Sequence, residues 1–212
     1  MPTDLKICII GGSGMEDPAF INDYSSKTVS TPYSDPSSEL IIGKIANVPV
    51  AILSRHGPGH SINPTNVNYR ANIWSLKEEC CTHILAVTAC GSLRKQIEPG
   101  NFVFPDQFIN RTTKRIGTYF DDSDVQHVSM GEPFSAGLRN CLVQACDDLE
   151  FAHHVGGTVV TIEGPRFSTK AESMMFRSWG CDMINMSTVP EICLARELEL
   201  EYQSIAMSTD YD

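Results

Sequence analysis

Polar side chains that can hold an anion follow several predicted strands of this sequence. Arg55 and His56 come directly after a strand predicted over 48–54, and Gly57 and Gly59 stand beside them. A guanidinium grips phosphate with a planar fork of donors, and the loops at strand carboxyl ends form the ligand crevice of open α/β sheets. Each cluster alone is also compatible with a structural role. Together, residues at five strand ends predict one shared crevice: Ser13, Arg55, His56, Thr88, Ser187 and Asp210.

A glycine-rich turn, Gly11 to Gly14, follows the first predicted strand. Its backbone N–H groups can cradle an anion, although a tight turn without a ligand explains the same residues equally well. A dinucleotide fingerprint requires a third glycine where Asp17 stands, and a nucleotide-triphosphate loop requires Gly-Lys-Ser/Thr. The sequence therefore disfavours a dinucleotide-binding oxidoreductase and a triphosphate-binding loop.

Two carboxylates, Asp210 and Asp212, stand two residues apart after a predicted buried strand, and therefore on one face of the chain. They are either hydrogen-bond acceptors in the crevice or a solvated acidic segment. Cys90 also lies near the predicted crevice. No nearby segment supplies an obvious base for it, so we interpret Cys90 as a structural thiol rather than a nucleophile.

The elements that position these residues alternate along the chain. Strands are predicted over 5–10, 40–45, 48–54, 84–89, 102–109, 158–162, 183–186 and 204–207, and the strand that contains Pro105 is expected to bend or to lie at an edge. Helices are predicted over 69–81, 138–149, 171–179 and 190–199. This alternation predicts a single α/β domain over 1–212, with a mixed, mostly parallel β-sheet flanked by helices.

Composition restricts the class of protein. The net charge of −10 argues against nucleic-acid binding, which needs clustered lysines and arginines. No apolar run is long enough to span a bilayer, so a membrane partner is not expected. The eight cysteines are scattered without a C-x-x-C pair, and we expect reduced thiols and no metal site.

The last predicted strand runs almost to the final residue, Asp212. An α/β protein normally continues from such a strand into a helix that covers the sheet. We therefore expect a domain truncated at its C-terminus, with the covering helices missing.

Long blocks of the sequence resemble one enzyme family. LSRHGPGHSINPTNVNYRANIWSLKEECCTHILAVTACGSL, over 53–93, is similar to the signature region of the purine nucleoside phosphorylase and methylthioadenosine phosphorylase family. The similarity continues through TIEGPRFST, INMSTVPE and SIAMSTDYD, and so covers nearly the whole chain from Ile7. The resemblance implies a mixed α/β fold that assembles as a homotrimer, with its active site near a subunit boundary and without a metal or organic cofactor.

The family's motifs imply a role for each candidate residue. Inorganic phosphate, the co-substrate, would be held by Ser13, Arg55, His56, Thr88, the Ala89 N–H and Ser187. Ser13 stands where close relatives commonly have threonine, which keeps the hydroxyl. The nucleoside would contact Ala89, Cys90, Gly91, Phe167 and Met186, with Ser168 as a specificity residue and His127 of a neighbouring subunit near the 5′ group.

The pair Asp210 and Asp212 resembles the segment of the family's adenine-selective branch, whereas the 6-oxopurine branch has asparagine in this segment. They would be the catalytic pair, accepting hydrogen bonds from the 6-amino group, and a protonated Asp210 would donate to N7 of the departing base. The implied reaction is phosphorolysis of 5′-methylthioadenosine to adenine and 5-methylthioribose 1-phosphate, in the cytoplasm and also in the nucleus. A 6-oxopurine nucleoside or methylthioinosine phosphorylase and a truncated, non-catalytic variant stay open as alternatives.

Overall fold

The computed structural model describes residues 5–11, 21–121 and 124–212, which form an eleven-stranded sheet and four α-helices. The strands are β1 (Ile7–Gly11), β2 (Asn22–Lys27), β3 (Leu40–Ile45), β4 (Val48–Ser54), β5 (His83–Ser92), β6 (Phe102–Phe104), β7 (Gln107–Arg111), β8 (His153–Val155), β9 (Thr158–Ile162), β10 (Met183–Asn185) and β11 (Glu201–Tyr211). The helices are α1 (Tyr69–Glu78), α2 (Ala136–Asp148), α3 (Lys170–Ser178) and α4 (Thr188–Glu197), with a short 3-10 turn at Pro58–His60.

The longest path through the sheet runs β2-β3-β4-β1-β5-β10-β9-β7, and β11, β6 and β8 continue from the other edge of β5. β1, β4, β5 and β11 are mutually parallel, as are β7, β9 and β10. Antiparallel pairs join β2 to β3, β3 to β4, β6 to β11, and β10 to β5. The predicted α/β fold with a mixed, mostly parallel sheet is confirmed.

One edge of β5 changes its partner part-way along. β1 pairs with β5 as far as Ala86, and β10 pairs with the same edge from Gly91 onward in the opposite direction. We call the opening between β1 and β10, beside residues 87–90 of β5, the fork. β11 runs along the whole opposite edge of β5 and supports it there. A change of strand partner of this kind is where α/β sheets open a ligand crevice.

Local sequence accounts for the helix boundaries. Asn68 caps α1 and Ser135 caps α2, each with a side-chain oxygen that accepts a backbone N–H, and Thr169 with Glu172 forms a capping box at α3. In α4 the residue before Pro190 is extended, so the regular helix begins at Pro190, as predicted. None of the described helices is long and apolar enough to cross a membrane.

The main core lies where α1 and α4 pack together over the sheet. Ile73 and Leu76 of α1, Ile192 and Leu194 of α4, and Ile84 of β5 are each 0% exposed. Full burial of such a side chain contributes about 1.5–3 kcal/mol. The core therefore holds α4 firmly against the sheet, and with it the loop that precedes α4.

Several elements differ from the sequence prediction. The strand predicted over 102–109 is two strands, because the chain leaves β6 after Phe104 and begins β7 at Gln107, on either side of Pro105. β2 and β8 were not predicted, since they consist of polar or histidine-rich residues without hydrophobic alternation. β11 is longer than predicted and contains a register shift between Ser208 and Asp210.

The prediction that all cysteines are reduced is wrong for one pair. Cys8 of β1 and Cys81, just before β5, form a disulfide with their Cα atoms 6.0 Å apart. Cys8 pairs with Ile84 of β5, and the chain that leads into β5 carries Cys81 within reach of Cys8. A separation of 73 residues hides this contact in the sequence. The other six cysteines are free thiols.

Candidate active site

A cavity of about 320 Å³ opens at the fork, where β4, β9, β10 and β11 end. The predicted site residues on its wall are Arg55, His56, Thr88, Ala89, Cys90, Gly91, Phe167, Ser168, Met186, Ser187, Asp210 and Asp212. Ser13 lies outside the described residues. His127 is exposed and does not belong to the described wall of this cavity in the single chain. The structure therefore brings the candidate residues together, and the roles assigned to them stay predictions.

Arg55 supplies a buried positive charge to the cavity wall. Its side chain is 1% exposed, and its Nε and Nη2 donate to the two carboxylate oxygens of Glu191 over 2.7 and 3.0 Å. Its Nη1 donates to the carbonyl oxygen of Val87 over 2.9 Å. A guanidinium has five N–H groups, so these bonds within the described part of the chain leave two of them for an anion.

Glu191, which was not predicted from the sequence, fixes Arg55 in place. Glu191 is 0% exposed, and the Tyr202 hydroxyl donates to its Oε1 over 2.7 Å. Burial alone would lower the pKa of Arg55, but the charge and the hydrogen bonds of Glu191 together raise that pKa above its ordinary value. Burial, reinforced by Glu191, also raises the pKa of Tyr202. The available signal was one acidic residue within the otherwise uncharged segment VPEICLA.

His56 is neutral at pH 7. Burial lowers its pKa to about 4, and the positive charge of Arg55 acts in the same direction. Nδ1 lies 2.9 Å from the carbonyl oxygen of Ile62, which can only accept, so Nδ1 carries the proton. Nε2 is then the acceptor of the ring. A neutral acceptor beside a guanidinium suits a phosphate ion that still carries one proton.

Thr88 and Ser187 form a buried pair of hydroxyls on the cavity wall. Their oxygens are 2.9 Å apart, and Nδ2 of Asn185 lies 3.4 Å from Thr88 Oγ1. Oδ1 of Asn185 accepts from the Thr161 hydroxyl over 2.9 Å. Asn185, also missed from the sequence, therefore links the ends of β9 and β10 to β5. One hydroxyl donates to the other here, and both can instead turn their single O–H groups toward two oxygens of one anion.

The two carboxylates near the end of β11 have different surroundings. Asp212 accepts from Ser168 over 2.6 Å at Oδ1, and its Oδ2 accepts from Ser168 and from Ser173 of α3. Asp210 is exposed to the cavity and accepts from the hydroxyl of the neighbouring Thr209 over 2.7 Å. Asp210 is therefore the carboxylate that a ligand can reach, whereas Asp212 is held by side chains.

Gly91 allows β5 to pass close to these groups. A Cβ atom at this position would lie 3.0 Å from Cβ of Asp212 and 3.0 Å from Cγ2 of Ile184. Such contacts are tighter than ordinary van der Waals distances, so a larger residue would push β11 or β10 away from the cavity wall.

Cys90 is a thiol at neutral pH. Burial raises its pKa to about 12, which keeps it protonated and unreactive. The structural interpretation of Cys90 fits this environment. Within the described ranges, no three His, Cys, Asp or Glu side chains come together as a metal site, and the absence of a cofactor stays a prediction.

The chain matches a known family over almost its full length. Residues 6–212 match the family described as the phosphorylase superfamily. The chain belongs to the phosphorylase superfamily. It is 56% identical over 213 residues to an S-methyl-5'-thioadenosine phosphorylase of Danio rerio, covering 98% of this chain and 76% of that relative. It is 53% identical to one of Drosophila pseudoobscura pseudoobscura, covering 100% of this chain and 75% of that relative.

Solved structures of the phosphorylase superfamily share this backbone. A methylthioadenosine phosphorylase from Schistosoma mansoni in its apo form superposes with a TM-score of 0.95 at 42% identity, covering 98% of this chain and 82% of that one. The same Schistosoma mansoni protein in complex with adenine gives a TM-score of 0.94, covering 98% of this chain and 79% of that one.

Proposed function

We propose that this chain catalyses the phosphorolysis of S-methyl-5'-thioadenosine to adenine and 5-methylthioribose 1-phosphate. The observation that carries the proposal is a single cavity that combines Arg55, neutral His56 and a hydroxyl pair with the open carboxylate of Asp210. The names of the relatives at 56% and 53% identity support the choice of nucleoside. The enzyme is then a pentosyltransferase that uses inorganic phosphate as its second substrate and needs no metal or organic cofactor.

Phosphate occupies the part of the cavity between β4 and β5. The two remaining N–H groups of Arg55 and the hydroxyls of Thr88 and Ser187 donate to its oxygens, together with the Ala89 N–H and the Ser13 hydroxyl. Nε2 of His56 accepts the one proton of HPO₄²⁻. Charge-assisted hydrogen bonds of this kind are the strong ones, and a buried site makes them stronger still.

The reaction is a displacement at C1′ of the ribose. The bond between C1′ and N9 breaks, and its electron pair leaves with the purine, while an oxygen of phosphate forms the new bond to C1′. The proton lost by HPO₄²⁻ balances the proton gained by adenine. The Asp210 carboxyl passes a proton to N7 of the departing base. Preorganised charge beside the developing cation and the departing base supplies much of the acceleration.

The base and ribose are held by the loops that follow β9 and β10. Phe167 is 79% exposed in the single chain, so its ring is available to stack on the purine. Met186 packs against the ribose. Ionised carboxylates accept hydrogen bonds from the 6-amino group of adenine, and Ser168 sets base selectivity by holding Asp212 in place.

Phosphate dependence tests the proposal directly. We expect the purified protein to release adenine from S-methyl-5'-thioadenosine in phosphate buffer, because phosphate is the nucleophile. Chromatography measures adenine and 5-methylthioribose 1-phosphate in equal amounts. The matched control is the same protein in a phosphate-free buffer of equal ionic strength and pH, where no release is expected. Equal release in both buffers would identify a hydrolase instead.

We further propose that the protein assembles as a homotrimer in the cytoplasm and enters the nucleus. The exposed position of His127, away from the cavity of its own chain, is compatible with a contribution to a neighbour's cavity. Light scattering of the native protein is expected to give the mass of three chains. The mass of a single chain, unchanged at high protein concentration, would contradict the trimer.

A further inference from the structure

Arg115 is a second buried arginine, in the segment that follows β7, and it does not belong to the described wall of the cavity. Its side chain is 1% exposed. Its guanidinium donates to four carbonyl oxygens: Met186 over 2.6 Å, Val189 over 2.7 Å, Glu163 over 2.7 Å and Ile162 over 3.3 Å. Ile162 and Glu163 lie at the end of β9 and in the loop that follows it, and Met186 and Val189 lie between β10 and the regular part of α4. Arg115 joins these two segments.

Two further contacts fix the guanidinium itself. Nε of Arg115 donates to Oε1 of Glu163 over 3.0 Å. Nη1, whose two N–H groups also reach Met186 and Val189, shares one of them with the Tyr69 hydroxyl of α1 over 3.1 Å. The Glu163 carboxylate also accepts the backbone N–H groups of Thr113 and Lys114. Burial alone would raise the pKa of Glu163, but these hydrogen bonds outweigh burial and lower the pKa to about 2. Glu163 is therefore ionised at neutral pH and holds the Arg115 segment against the end of β9.

The two loops are in direct contact beside the cavity. Gly164 has a φ of 71°, and a Cβ atom there would lie 2.5 Å from Sδ of Met186. Four carbonyl oxygens converge between the loops, so their partial negative charges would face one another without the guanidinium. A lysine cannot replace the planar guanidinium, because its ammonium is a compact point charge with three donors.

We propose that Arg115 is a positioning residue for the nucleoside part of the site. It holds the loops over 163–168 and 186–189 at the spacing that lets Phe167 and Met186 enclose the purine and the ribose. The identity of the nucleoside rests on the proposed function, whereas the coupling of the two loops rests on the contacts of Arg115 alone. Arg55 follows β4 and Thr88 lies in β5, and Arg115 contacts neither strand in the described structure. Ser187 lies in one of the two loops that Arg115 holds, so the phosphate part of the site depends on Arg115 less than the nucleoside part does.

The test compares Arg115→Lys and Arg115→Met with the parent, measuring KM for each substrate. Arg115→Lys keeps the positive charge but replaces the planar guanidinium by an ammonium group. We expect it to raise KM for S-methyl-5'-thioadenosine by about ten- to a hundredfold, because a misplacement of about 1 Å costs on the order of a hundredfold. KM for phosphate is expected to rise by a smaller factor, at most about tenfold, because among the described phosphate ligands only Ser187 lies in a loop that Arg115 holds. Arg115→Met is expected to act in the same direction and more strongly.

The matched control is Arg94→Lys. Arg94 forms a half-buried ion pair with Asp182 over 2.8 Å, outside the cavity wall, and its replacement is expected to leave both KM values unchanged. An unchanged nucleoside KM in folded Arg115→Lys would overturn the proposal. An equal rise in both KM values would overturn it as well, because that result indicates general loosening of the fold.

Amide hydrogen exchange separates this inference from the proposed function. Arg115→Lys is expected to speed the exchange of residues 163–168 and 186–189 at least tenfold relative to the parent, and Arg94→Lys is not. Unchanged exchange in both loops would overturn the role of Arg115, whatever the activity. A parent that releases no adenine but whose loops loosen in Arg115→Lys would instead refute the reaction and leave the coupling of the loops standing.

Discussion

Replacing Glu191 by alanine is expected to lower the free energy of unfolding by about 3–5 kcal/mol, the usual effect of removing one partner of a buried ion pair. The guanidinium of Arg55 would stay fully buried without its counter-charge, and the Tyr202 hydroxyl would lose its acceptor. Glu191→Gln keeps the shape and one acceptor oxygen, and is expected to be less destabilising. Urea denaturation of the parent and the two variants measures the difference.

An exposed ion pair provides the matched control for Glu191. Asp121 is 42% exposed and pairs with Arg70 over 2.9 Å, so Asp121→Ala is expected to change stability by no more than about 1 kcal/mol. The folded fraction of Glu191→Gln is also expected to show a raised KM for phosphate, since Arg55 would no longer be fixed by two hydrogen bonds. A loss of stability in Glu191→Ala no larger than that of the control would mean that Arg55 does not depend on Glu191.

Asp210→Asn is expected to shift the preference for adenine over hypoxanthine by one or two decades. An ionised carboxylate only accepts hydrogen bonds, which suits a 6-amino donor and opposes a 6-oxo acceptor, whereas an amide offers both. Once the bound base covers Asp210, a polar group left unpaired there costs roughly 1–3 kcal/mol, which corresponds to that shift. The variant is also expected to lower kcat on S-methyl-5'-thioadenosine, because an amide is a poorer acid toward N7. The measurement is kcat/KM for the 6-amino nucleoside and its 6-oxo counterpart in both proteins.

A second carboxylate on β11, that of Glu201, provides the control for Asp210→Asn. Glu201 lies exposed at the opposite end of the same strand, so Glu201→Gln makes the same carboxylate-to-amide change far from the cavity. It is expected to leave the preference ratio unchanged. A ratio equally unchanged in Asp210→Asn would remove Asp210 from contact with the base.

The convergence of the strand ends could be predicted from the sequence, because polar residues such as Arg55, Thr88 and Asp210 stand at the ends of apolar, β-branched segments. Glu191 and Asn185 were not accessible in the same way. Each acts by contacting a distant residue, and Arg55 and Glu191 are 136 positions apart in the chain. Taken alone, Glu191 is one acid in a short helix. Its effect follows only from packing that places it opposite a buried cation.

The same limit applies to Arg115 and to the disulfide of Cys8. Arg115 stands in a polar segment between β7 and α2, where an arginine usually faces solvent. Its partners are mostly backbone carbonyls, which every sequence contains, so no residue type marks them in advance. Cys8 meets Cys81 because β1 and β5 are adjacent, and strand adjacency depends on the order of the whole sheet.

At the fork, the strands that hold the sheet together and the loops proposed to contact the departing base are different parts of the chain. Along one edge of β5, residues 87–90 are paired with β11. The loops over 163–168 and 186–187, which follow β9 and β10, belong to no strand. Side chains on those loops other than Ser187 can therefore change over evolutionary time without breaking the hydrogen bonds between strands. Related proteins can in this way keep the same phosphate-binding residues, such as Arg55 and Thr88, while they release different bases.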